Sequence, residues 1–393
     1  MARLAFKDLE FKRENGKIRV NFLKLFYFCL EDNDLKKVGE YKIEKNAINF
    51  KADNISHKFN LLLEKGFQDL KNSLNGNRTI YIHKNSGIPL ISSLSFGIVD
   101  RGSNMLEIKP ITSCSLNCIF CSVGEGLSSK KTVDYVVEKD YLVSELKKLV
   151  EYKNSPVDIY INPHGEPLLY ADIVELVEDI AKIKLVKVIS IISSGALLTK
   201  ELIDKLVKAG LNRVNLSLNA VTPVIAKKLA GTADYNVGHV KEMAGYISKK
   251  IELFITPVLI PGFNGEEMPK LIEFAKDINA KICIQNFLQN KRGRNPAKAM
   301  PMDKFYLVLK ELEKAHNAML IADFKPVMTK ELPKPFHKGD IINAQLMCPG
   351  RYINEALAAA KGRVITAANC HKKGIVRLRI TRDKDNVFYG ELA

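Results

Sequence analysis

The sequence of 393 residues contains no apolar run long enough to span a bilayer. Its first residues, Met-Ala-Arg-Leu-Ala-Phe-Lys-Asp, also lack the apolar stretch of a secretory signal peptide. Cysteine is scarce and odd in number, with seven residues of which three are clustered. A disulfide framework needs paired cysteines in a short secreted chain, so this number argues for a reducing compartment. We therefore expect a cytoplasmic protein with no membrane-spanning segment.

The chain is also short of negative charge. Sixty lysine and arginine residues stand against 44 aspartate and glutamate residues, which gives a net charge of +16 at pH 7. Such an excess favours nucleic acids or other anionic partners, because neutralised phosphates release counterions. A lysine-rich composition with solvated helix faces gives the same net charge, so the net charge alone does not identify a partner. The length allows two or three domains.

The three clustered cysteines lack a fourth partner. Cys114, Cys118 and Cys121 have the spacing C-x3-C-x2-C within residues 111–122. A structural zinc site is closed by four ligands, which this run does not supply. Three thiolates on one short loop suit a [4Fe–4S] cluster in which one iron keeps an open position. The alternative is a loop of three reduced cysteines without a metal.

This spacing, with Phe120 before the third cysteine, resembles the cluster loop of the radical S-adenosylmethionine (SAM) superfamily. Membership implies that the free iron binds the amino and carboxyl groups of SAM's methionine part. It implies further that one electron, supplied by a donor such as ferredoxin or flavodoxin, cleaves the sulfonium. The product is a 5′-deoxyadenosyl radical that abstracts hydrogen from a substrate. The resemblance covers residues 106–287, and no second cysteine group has the spacing of an auxiliary cluster.

Strands and helices alternate from about residue 105 onward. The strand candidates are nearly continuous apolar runs, as expected for a parallel sheet buried on both faces. They are 106–111, 157–162, 186–192, 213–218, 253–260 and 282–287. The helix candidates include 141–152, 173–183, 200–209, 267–278 and 304–316. This α/β pattern predicts the partial (β/α)6 TIM-like barrel that the resemblance implies, over residues 101–320, with the cluster loop at its C-terminal mouth.

The flanking segments have different patterns. Residues 1–100 combine strand-like alternation with one helical repeat, and they predict an N-terminal α+β region without a recognisable motif. Residues 322–336 hold three prolines among charges and predict a linker. Strand-like pieces separated by glycines then predict a small β-barrel over residues 336–393. This barrel resembles the TRAM domain, an RNA-binding module of several RNA-modification enzymes.

The second strand candidate ends in residues 162–168, with the sequence NPHGEPL. The resemblance implies that Gly165 and Glu166 bind the SAM amino group. Carbonyl groups exposed by a glycine accept hydrogen bonds from an ammonium, and the carboxylate adds charge or a supporting contact. A Gly-Pro turn leaving a strand is the alternative. His164 departs from the commonest family pattern, which has a glycine there.

Polar residues follow the later strands as well. The resemblance implies that Ser194, Ser217 and Asn219 contact the ribose and carboxylate of SAM. It also implies that backbone groups near Val258 and Leu259 pair with the adenine edge. Serine and asparagine offer both donors and acceptors. Each is equally a common helix N-cap, and a simple loop before a helix explains the glycine-bearing turn after Leu259.

Two groups of cations suggest an RNA interface. Lys291, Arg292 and Arg294 follow the sixth strand, at the predicted mouth of the barrel. The second group lies in the tail, beside Phe388 and Tyr389: Arg363, His371, Lys372, Lys373, Arg377, Arg379 and Arg382. Cations that follow phosphates, beside aromatic stacking platforms, are typical of single-strand RNA binding. A solvated charge run and a solvent-facing strand produce the same pattern.

Two tail cysteines are candidates for catalysis. Some radical SAM methyltransferases of RNA adenines use two further cysteines, and Cys348 and Cys370 fit such parts if the tail folds back over the barrel mouth. The alternative is that both are small buried residues of the β-barrel.

The sequence thus favours a radical SAM enzyme that modifies RNA, with tRNA as the first candidate. In a second interpretation the substrate is a protein side chain, lipid or small cofactor, and the tail is a docking or lid module. In a third, the chain is an iron–sulfur RNA-binding or electron-transfer protein without radical chemistry.

Overall fold

The computed structural model describes residues 2–53, 55–321 and 326–393. Its strands are β1 Ala2–Ala5, β2 Leu9–Glu14, β3 Lys17–Phe22, β4 Phe26–Glu31, β5 Tyr41–Ile43, β6 Ala47–Phe50, β7 Lys71–Asn72, β8 Arg78–Ile82, β9 Gly97–Asp100, β10 Met105–Lys109, β11 Val133–Val137, β12 Val157–Ile161, β13 Val186–Ser193, β14 Arg213–Leu216, β15 Glu252–Ile255, β16 Val258–Leu259, β17 Lys281–Ile282, β18 Gln285–Asn286, β19 Ile341–Pro349, β20 Glu355–Ala360, β21 Arg363–Ala368, β22 Ile375–Arg382 and β23 Phe388–Leu392. Its α-helices are α1 Asp32–Val38, α2 Ser56–Gln68, α3 Lys139–Lys153, α4 Ile173–Ala181, α5 Lys200–Lys208, α6 Pro223–Ala230, α7 Val237–Ile247, α8 Glu267–Asp277 and α9 Met302–His316.

The central sheet has the order β17-β15-β14-β13-β12-β10-β9. All neighbours from β10 to β17 are parallel, and β9 is an antiparallel edge strand. Crossover helices cover the outside, because each has one apolar face. In α4 that face is formed by Ile173, Leu176, Val177 and Ile180, all buried at helical spacing. This arrangement confirms the predicted partial (β/α)6 barrel, with α6 and α7 both placed between β14 and β15.

The N-terminal α+β region forms a sheet with the order β11-β8-β7-β4-β3-β2. The same N-terminal region forms a second, smaller sheet with the order β1-β6-β5. Strand β11 follows the cluster loop and lies within the predicted barrel segment, yet it pairs in parallel with β8. The chain therefore returns to the N-terminal sheet between the first and second barrel strands, which ties this sheet to the cluster loop.

The tail forms a closed barrel with the strand order β19-β20-β21-β23-β22. In β22 the residues Val376, Leu378 and Ile380 are buried, while Arg377 and Arg379 are exposed, as the alternation in the sequence predicts. The small C-terminal β-barrel is confirmed, and its identity as a TRAM domain stays a prediction. The predicted linker is described in part, since residues 322–325 lie outside the described residues.

Among the helices of the described residues, none combines the length and the apolar character needed to cross a membrane.

Candidate cluster and SAM site

A cavity of about 1290 Å³ runs along the inside of the barrel. Strand register arranges its lining in layers, because inward side chains of neighbouring parallel strands lie side by side. The lower layer holds Glu107, Tyr160 and Arg213. The middle layer holds Ile192, Asn215 and Phe254. The upper layer, at the carboxyl ends of the strands, holds Ser194, Ser217 and Thr256.

The cluster loop borders the upper layer of this cavity. Cys114, Cys118 and Cys121 all line the cavity. Two backbone hydrogen bonds tie the loop to the end of α6: Asn117 N donates to Ala230 O at 3.0 Å and Ile119 N donates to Leu229 O at 3.1 Å. The three thiols are thus held on an ordered loop that faces the barrel interior.

Arg294 holds the loop from the other side. Its guanidinium donates to the carbonyl of Cys118 at 2.8 Å and to Oδ1 of Asn117 at 2.7 Å, while its backbone N–H donates to the carbonyl of Cys121 at 2.9 Å. The sequence predicted that Arg294 binds RNA. In the structure these donors of Arg294 are directed at the cluster loop, and its binding to RNA stays a prediction.

The donor set fits an iron–sulfur cluster. All three ligand candidates are soft thiols, and among the described residues no set of three His, Cys, Asp or Glu side chains is arranged to hold a single metal ion. Burial raises the pKa of Cys114 well above its usual range and raises the pKa of Cys118 to about 12. These thiols are therefore neutral until a cationic group binds and displaces their protons. The backbone N–H of Glu125 donates to Sγ of Cys121 at 3.3 Å, a hydrogen bond that stabilises a thiolate.

Glu166 joins the cluster loop to the end of β13. Its backbone N–H donates to the Ser113 carbonyl at 2.8 Å. Its carboxylate accepts hydrogen bonds from the hydroxyl of Ser193 at 2.8 Å and from both the N–H and the hydroxyl of Ser194, at 3.0 and 2.6 Å. Burial raises the pKa of Glu166, and these serine donors act in the opposite direction. Glu166 lines the cavity, but its oxygens already organise Ser193 and Ser194.

Gly165 makes the close approach of these two segments possible. A Cβ at this position would lie 2.1 Å from the carbonyl oxygen of Ser113, well inside van der Waals contact. Only glycine lets the turn after β12 pack directly on the residue that precedes Cys114. The position therefore explains the glycine of the NPHGEPL run in steric terms.

The side chain of Asn219 forms hydrogen bonds within the chain, one of them with the loop that follows β15. Its Oδ1 accepts from Val258 N at 2.8 Å, and its Nδ2 donates to the Ser217 carbonyl at 3.0 Å. The Val258 carbonyl accepts from Asn264 at 2.9 Å, and the Leu259 carbonyl accepts from Phe287 N at 3.1 Å. The sequence assigned these backbone groups to adenine, and the structure pairs them within the chain. Asn219 and Val258 still line the cavity, whereas Leu259 is buried and does not.

Tyr235 lies in the cavity although the sequence reasoning passed over it. It sits between α6 and α7, and its hydroxyl donates to the Ser194 carbonyl at 3.4 Å. Burial raises its pKa. No local pattern marks a single tyrosine in a helical connection, so only the packing of α7 against the barrel reveals its position.

Two further cations predicted to bind RNA have partners inside the chain. Arg292 forms an ion pair with Glu355. Arg363 donates to the Pro333 carbonyl at 3.1 Å, and burial lowers the pKa of its guanidinium. These contacts show what Arg292 and Arg363 bind within the chain, and their binding to RNA stays a prediction. Lys291 remains exposed.

The exposed predicted RNA-binding residues of the tail lie on β22 and on the loop before it: Lys372, Lys373, Arg377 and Arg379.

The two tail cysteines do not reach the cavity. Cys370 is buried in the core of the small barrel with Phe388. Cys348 packs against the main core, and burial raises its pKa to about 12. The tail does fold back onto the cluster loop, but Arg351 makes that contact rather than a cysteine. Cys370 therefore fits the alternative of a buried β-barrel cysteine, Cys348 is partly buried beside the main core, and a catalytic role for either stays a prediction.

Replacing Arg294 with glutamine is expected to lower the iron and sulfide content by about tenfold after brief anaerobic reconstitution. The variant loses charge-assisted hydrogen bonds to the loop, each of which contributes about 1.5–3 kcal/mol. Arg292→Gln is the matched control, because its side chain contacts the small barrel instead. Equal cluster content in both variants would show that Arg294 does not hold the loop.

Known proteins resemble the chain over different lengths. Residues 108–275 match the family model described as the radical SAM superfamily. An uncharacterized protein of Methanocaldococcus jannaschii is 37% identical over 387 residues, covering 89% of each chain. A probable GTP 3′,8-cyclase of the same organism is 32% identical over 195 residues, which cover 49% of this chain and 61% of the relative. Among solved structures, SuiB of Streptococcus suis bound to S-adenosylmethionine matches 79% of this chain and 69% of its own at 15% identity, with a TM-score of 0.43.

The family match spans the cluster loop together with the barrel strands from β12 to β15. The relative from Methanocaldococcus jannaschii extends the similarity over almost the whole chain. The chain therefore belongs to the radical SAM superfamily, whose enzymes bind a [4Fe–4S] cluster and S-adenosylmethionine.

Proposed function

We propose that this radical SAM enzyme modifies RNA, with tRNA as the first class to test. Cys114, Cys118 and Cys121 would hold the cluster, and the segment from Gly165 to Glu166 with the upper layer of the cavity would hold SAM. Such a cluster would supply one electron for the reductive cleavage of SAM to methionine and a 5′-deoxyadenosyl radical, which would take hydrogen from the substrate. An electron donor such as ferredoxin or flavodoxin completes the system. The observation that carries the RNA proposal is a strip of cations on the small barrel that continues through Tyr389 and Arg292 to the cluster loop.

This β22 strip consists of Arg377, Arg379 and Arg382 together with Lys372 and Lys373 of the preceding loop. Arg377 and Arg379 project from one exposed face of β22. Arg382 is five positions after Arg377, which is about 16 Å along a strand. Neither Arg377 nor Arg379 forms an ion pair with the residues that the structure describes, so both are free to neutralise phosphates.

The β22 strip meets aromatic rings at Arg382. Arg382 lies 5.5 Å from the ring centre of Tyr389, and Arg292 lies 5.8 Å from the same ring and 4.7 Å from that of Tyr352. The carbonyl of Arg292 is so near the cluster loop that a Cβ at Gly124 would lie 2.6 Å from it. Rings beside cations are the usual stacking platform for unpaired bases. The strip and these rings therefore form one path toward the cavity.

The cavity has room for a second planar molecule beneath the upper layer. Its volume of about 1290 Å³ exceeds the usual range of about 300–1,000 Å³ for a small-molecule site. Asn215 in the middle layer has a carboxamide without a hydrogen-bond partner among the described residues, and Phe254 lies beside it. A carboxamide next to an aromatic ring suits the edge and face of a base turned out of its stack.

The test is an anaerobic reaction of the cluster-loaded protein with SAM, a reductant and total RNA. Nucleosides from the digested RNA are analysed by mass spectrometry, and 5′-deoxyadenosine is measured in parallel. We expect a nucleoside of altered mass that depends on SAM and on the three cysteines. Formation of 5′-deoxyadenosine with an unchanged set of nucleosides would contradict the RNA proposal while leaving radical chemistry intact.

A free purine nucleotide is the second candidate substrate. It is favoured by the similarity to GTP 3′,8-cyclases, which covers about half of this chain, and by the unpaired carboxamide of Asn215 in the cavity. The small barrel would then be a docking or lid module. The same reaction with GTP in place of RNA separates the candidates, because only this second one predicts a modified mononucleotide.

The double variant Arg377→Gln/Arg379→Gln is expected to lower tRNA affinity by about tenfold. Loss of two phosphate contacts should also reduce the slope of log K against log salt by about 2. Electrophoretic binding at several salt concentrations measures both quantities. The control is Lys304→Gln/Lys310→Gln on α9, which removes two exposed cations away from the β22 strip. Equal losses in both double variants would indicate nonspecific attraction and contradict a role for the strip.

A further inference from the structure

We infer that Arg351 of the small barrel is a positioning residue for the iron–sulfur cluster, acting through Glu125 on the thiolate of Cys121. Arg351 follows β19 and is only 4% exposed. It belongs to the C-terminal barrel in sequence but lies among residues of the cluster loop and of β11 in space. The small barrel therefore completes the cluster site, whatever substrate the enzyme takes.

The guanidinium of Arg351 bridges two buried carboxylates. Its Nη1 donates to Oδ1 of Asp134 at 2.7 Å, to Oγ1 of Thr112 at 2.9 Å and to the carbonyl of Val133. Its Nη2 donates to Oε1 of Glu125. A planar fork that engages two carboxylates at once is a property of arginine that lysine does not share.

Glu125 connects this fork to the cluster ligand. Its side chain is 4% exposed, and it also pairs with Lys131 at 2.6 Å. The two cations thus hold the side chain of Glu125, and with it the backbone whose N–H donates to Sγ of Cys121 at 3.3 Å. Hydrogen bonds to cluster sulfurs stabilise the more negative reduced state and so raise the reduction potential.

The same network holds the start of the cluster loop. Oδ2 of Asp134 accepts from Nδ2 of Asn72 at 2.8 Å, and Asn72 also donates to Oγ of Ser113 at 2.8 Å. Ser113 directly precedes Cys114, so Arg351 is linked to both sides of the three cysteines. Asn72 belongs to β7 of the N-terminal sheet, which means that three parts of the fold meet in this one network.

The charges of the network balance. Glu125 and Asp134 supply two negative charges, and Arg351 and Lys131 supply two positive charges, all of them buried. Removing one charge would leave a buried partner uncompensated, which is strongly destabilising. A useful variant must therefore keep the charge and change only the geometry.

The variant Arg351→Lys meets this requirement, because one ammonium nitrogen cannot reproduce the planar fork in which Nη1 contacts Asp134 and Nη2 contacts Glu125. We expect the hydrogen bond to Cys121 to weaken, which lowers the ratio of reduced to oxidised cluster at a given potential by about tenfold. For a one-electron couple this is a midpoint shift of about 59 mV to more negative values. Electron paramagnetic resonance during a redox titration measures it without any substrate. Hydrogen exchange of the Glu125 amide should become faster in the same protein.

Arg101→Lys is the matched control. Arg101 also links the main barrel to the small barrel, through Glu107 at 2.9 Å and Asp385 at 3.6 Å, but it does not contact the cluster loop. The midpoint potential of the cluster in Arg101→Lys should equal that in the wild-type protein. An unchanged midpoint and unchanged exchange in Arg351→Lys would overturn the inference.

Glu125→Asp is the second test variant, to be used if Arg351→Lys does not fold. It keeps the charge and shortens the reach to Arg351 by one methylene, so the midpoint should move in the same direction. A wild-type midpoint in this variant would also overturn the inference. Because no RNA enters these measurements, their outcome is independent of the proposed substrate.

Discussion

Replacement of Cys118 by alanine is expected to abolish cluster binding and SAM cleavage together. The loop supplies three thiols to the cavity, and two thiolates are too few to retain the cluster. The reconstituted variant should lack both the visible absorbance of an iron–sulfur cluster and the paramagnetic signal after reduction. Formation of 5′-deoxyadenosine should fall to the background of protein-free reactions.

Cys283→Ala is the control for this experiment. Cys283 also lines the cavity but lies between β17 and β18, apart from the cluster loop. Its removal should leave cluster content and SAM cleavage close to those of the wild type. A cluster that persists in Cys118→Ala, or that disappears in Cys283→Ala, would mean that the ligand set is assigned incorrectly.

Replacement of Glu166 by alanine is expected to weaken SAM binding by about 100-fold. The buried carboxylate accepts from Ser193 and from two donors of Ser194, and these donors would be left without it. Without the carboxylate, Ser193 and Ser194 lose the orientation that they present to SAM; two lost hydrogen bonds of about 1–1.5 kcal/mol each give about 100-fold, since a factor of ten in affinity is about 1.4 kcal/mol. Isothermal titration of the cluster-loaded protein with SAM measures the loss. Cluster content must be determined in the same sample, because Glu166 also contacts Ser113.

Two glutamine variants refine this result. Glu166→Gln keeps the shape and one acceptor oxygen but places an amide donor beside the donors of Ser194, so we expect a loss of about tenfold. Glu175→Gln on the exposed face of α4 removes the same charge away from the cavity and should change nothing. Wild-type affinity in Glu166→Ala with a full cluster would show that SAM does not depend on the end of β13.

Much of the barrel was predictable because its signals are local. Alternation of apolar strands and helices predicted the parallel sheet from β10 to β17, and the period of two in β22 predicted which arginines face solvent. The return of β11 to the N-terminal sheet was not predicted. The five residues of β11 are all buried and have the composition of an ordinary strand. Because no local feature of the sequence specifies which strand β11 pairs with, its partner could not be predicted.

The candidate site divides in the same way. Gly165 and Glu166, predicted from a run of seven residues, and Ser194 and Ser217, predicted from strand ends, all line the cavity, and their contacts with SAM stay predictions. Arg294 was found as a cation but assigned to RNA. The sequence shows a positive charge and does not show whether a phosphate or a carbonyl of the same chain neutralises it.

The sequence by itself determined the three-thiol loop, the barrel that carries it and the alternation of the small barrel, because each depends on residues close together in the chain. Only the tertiary structure decided where the tail packs and what its cations bind. Arg351 and Glu125 are 226 positions apart, and Arg294 and Cys118 are 176 apart. Such pairs form only after the sheets have assembled, and burial then makes a charge contact its partner inside the protein instead of water.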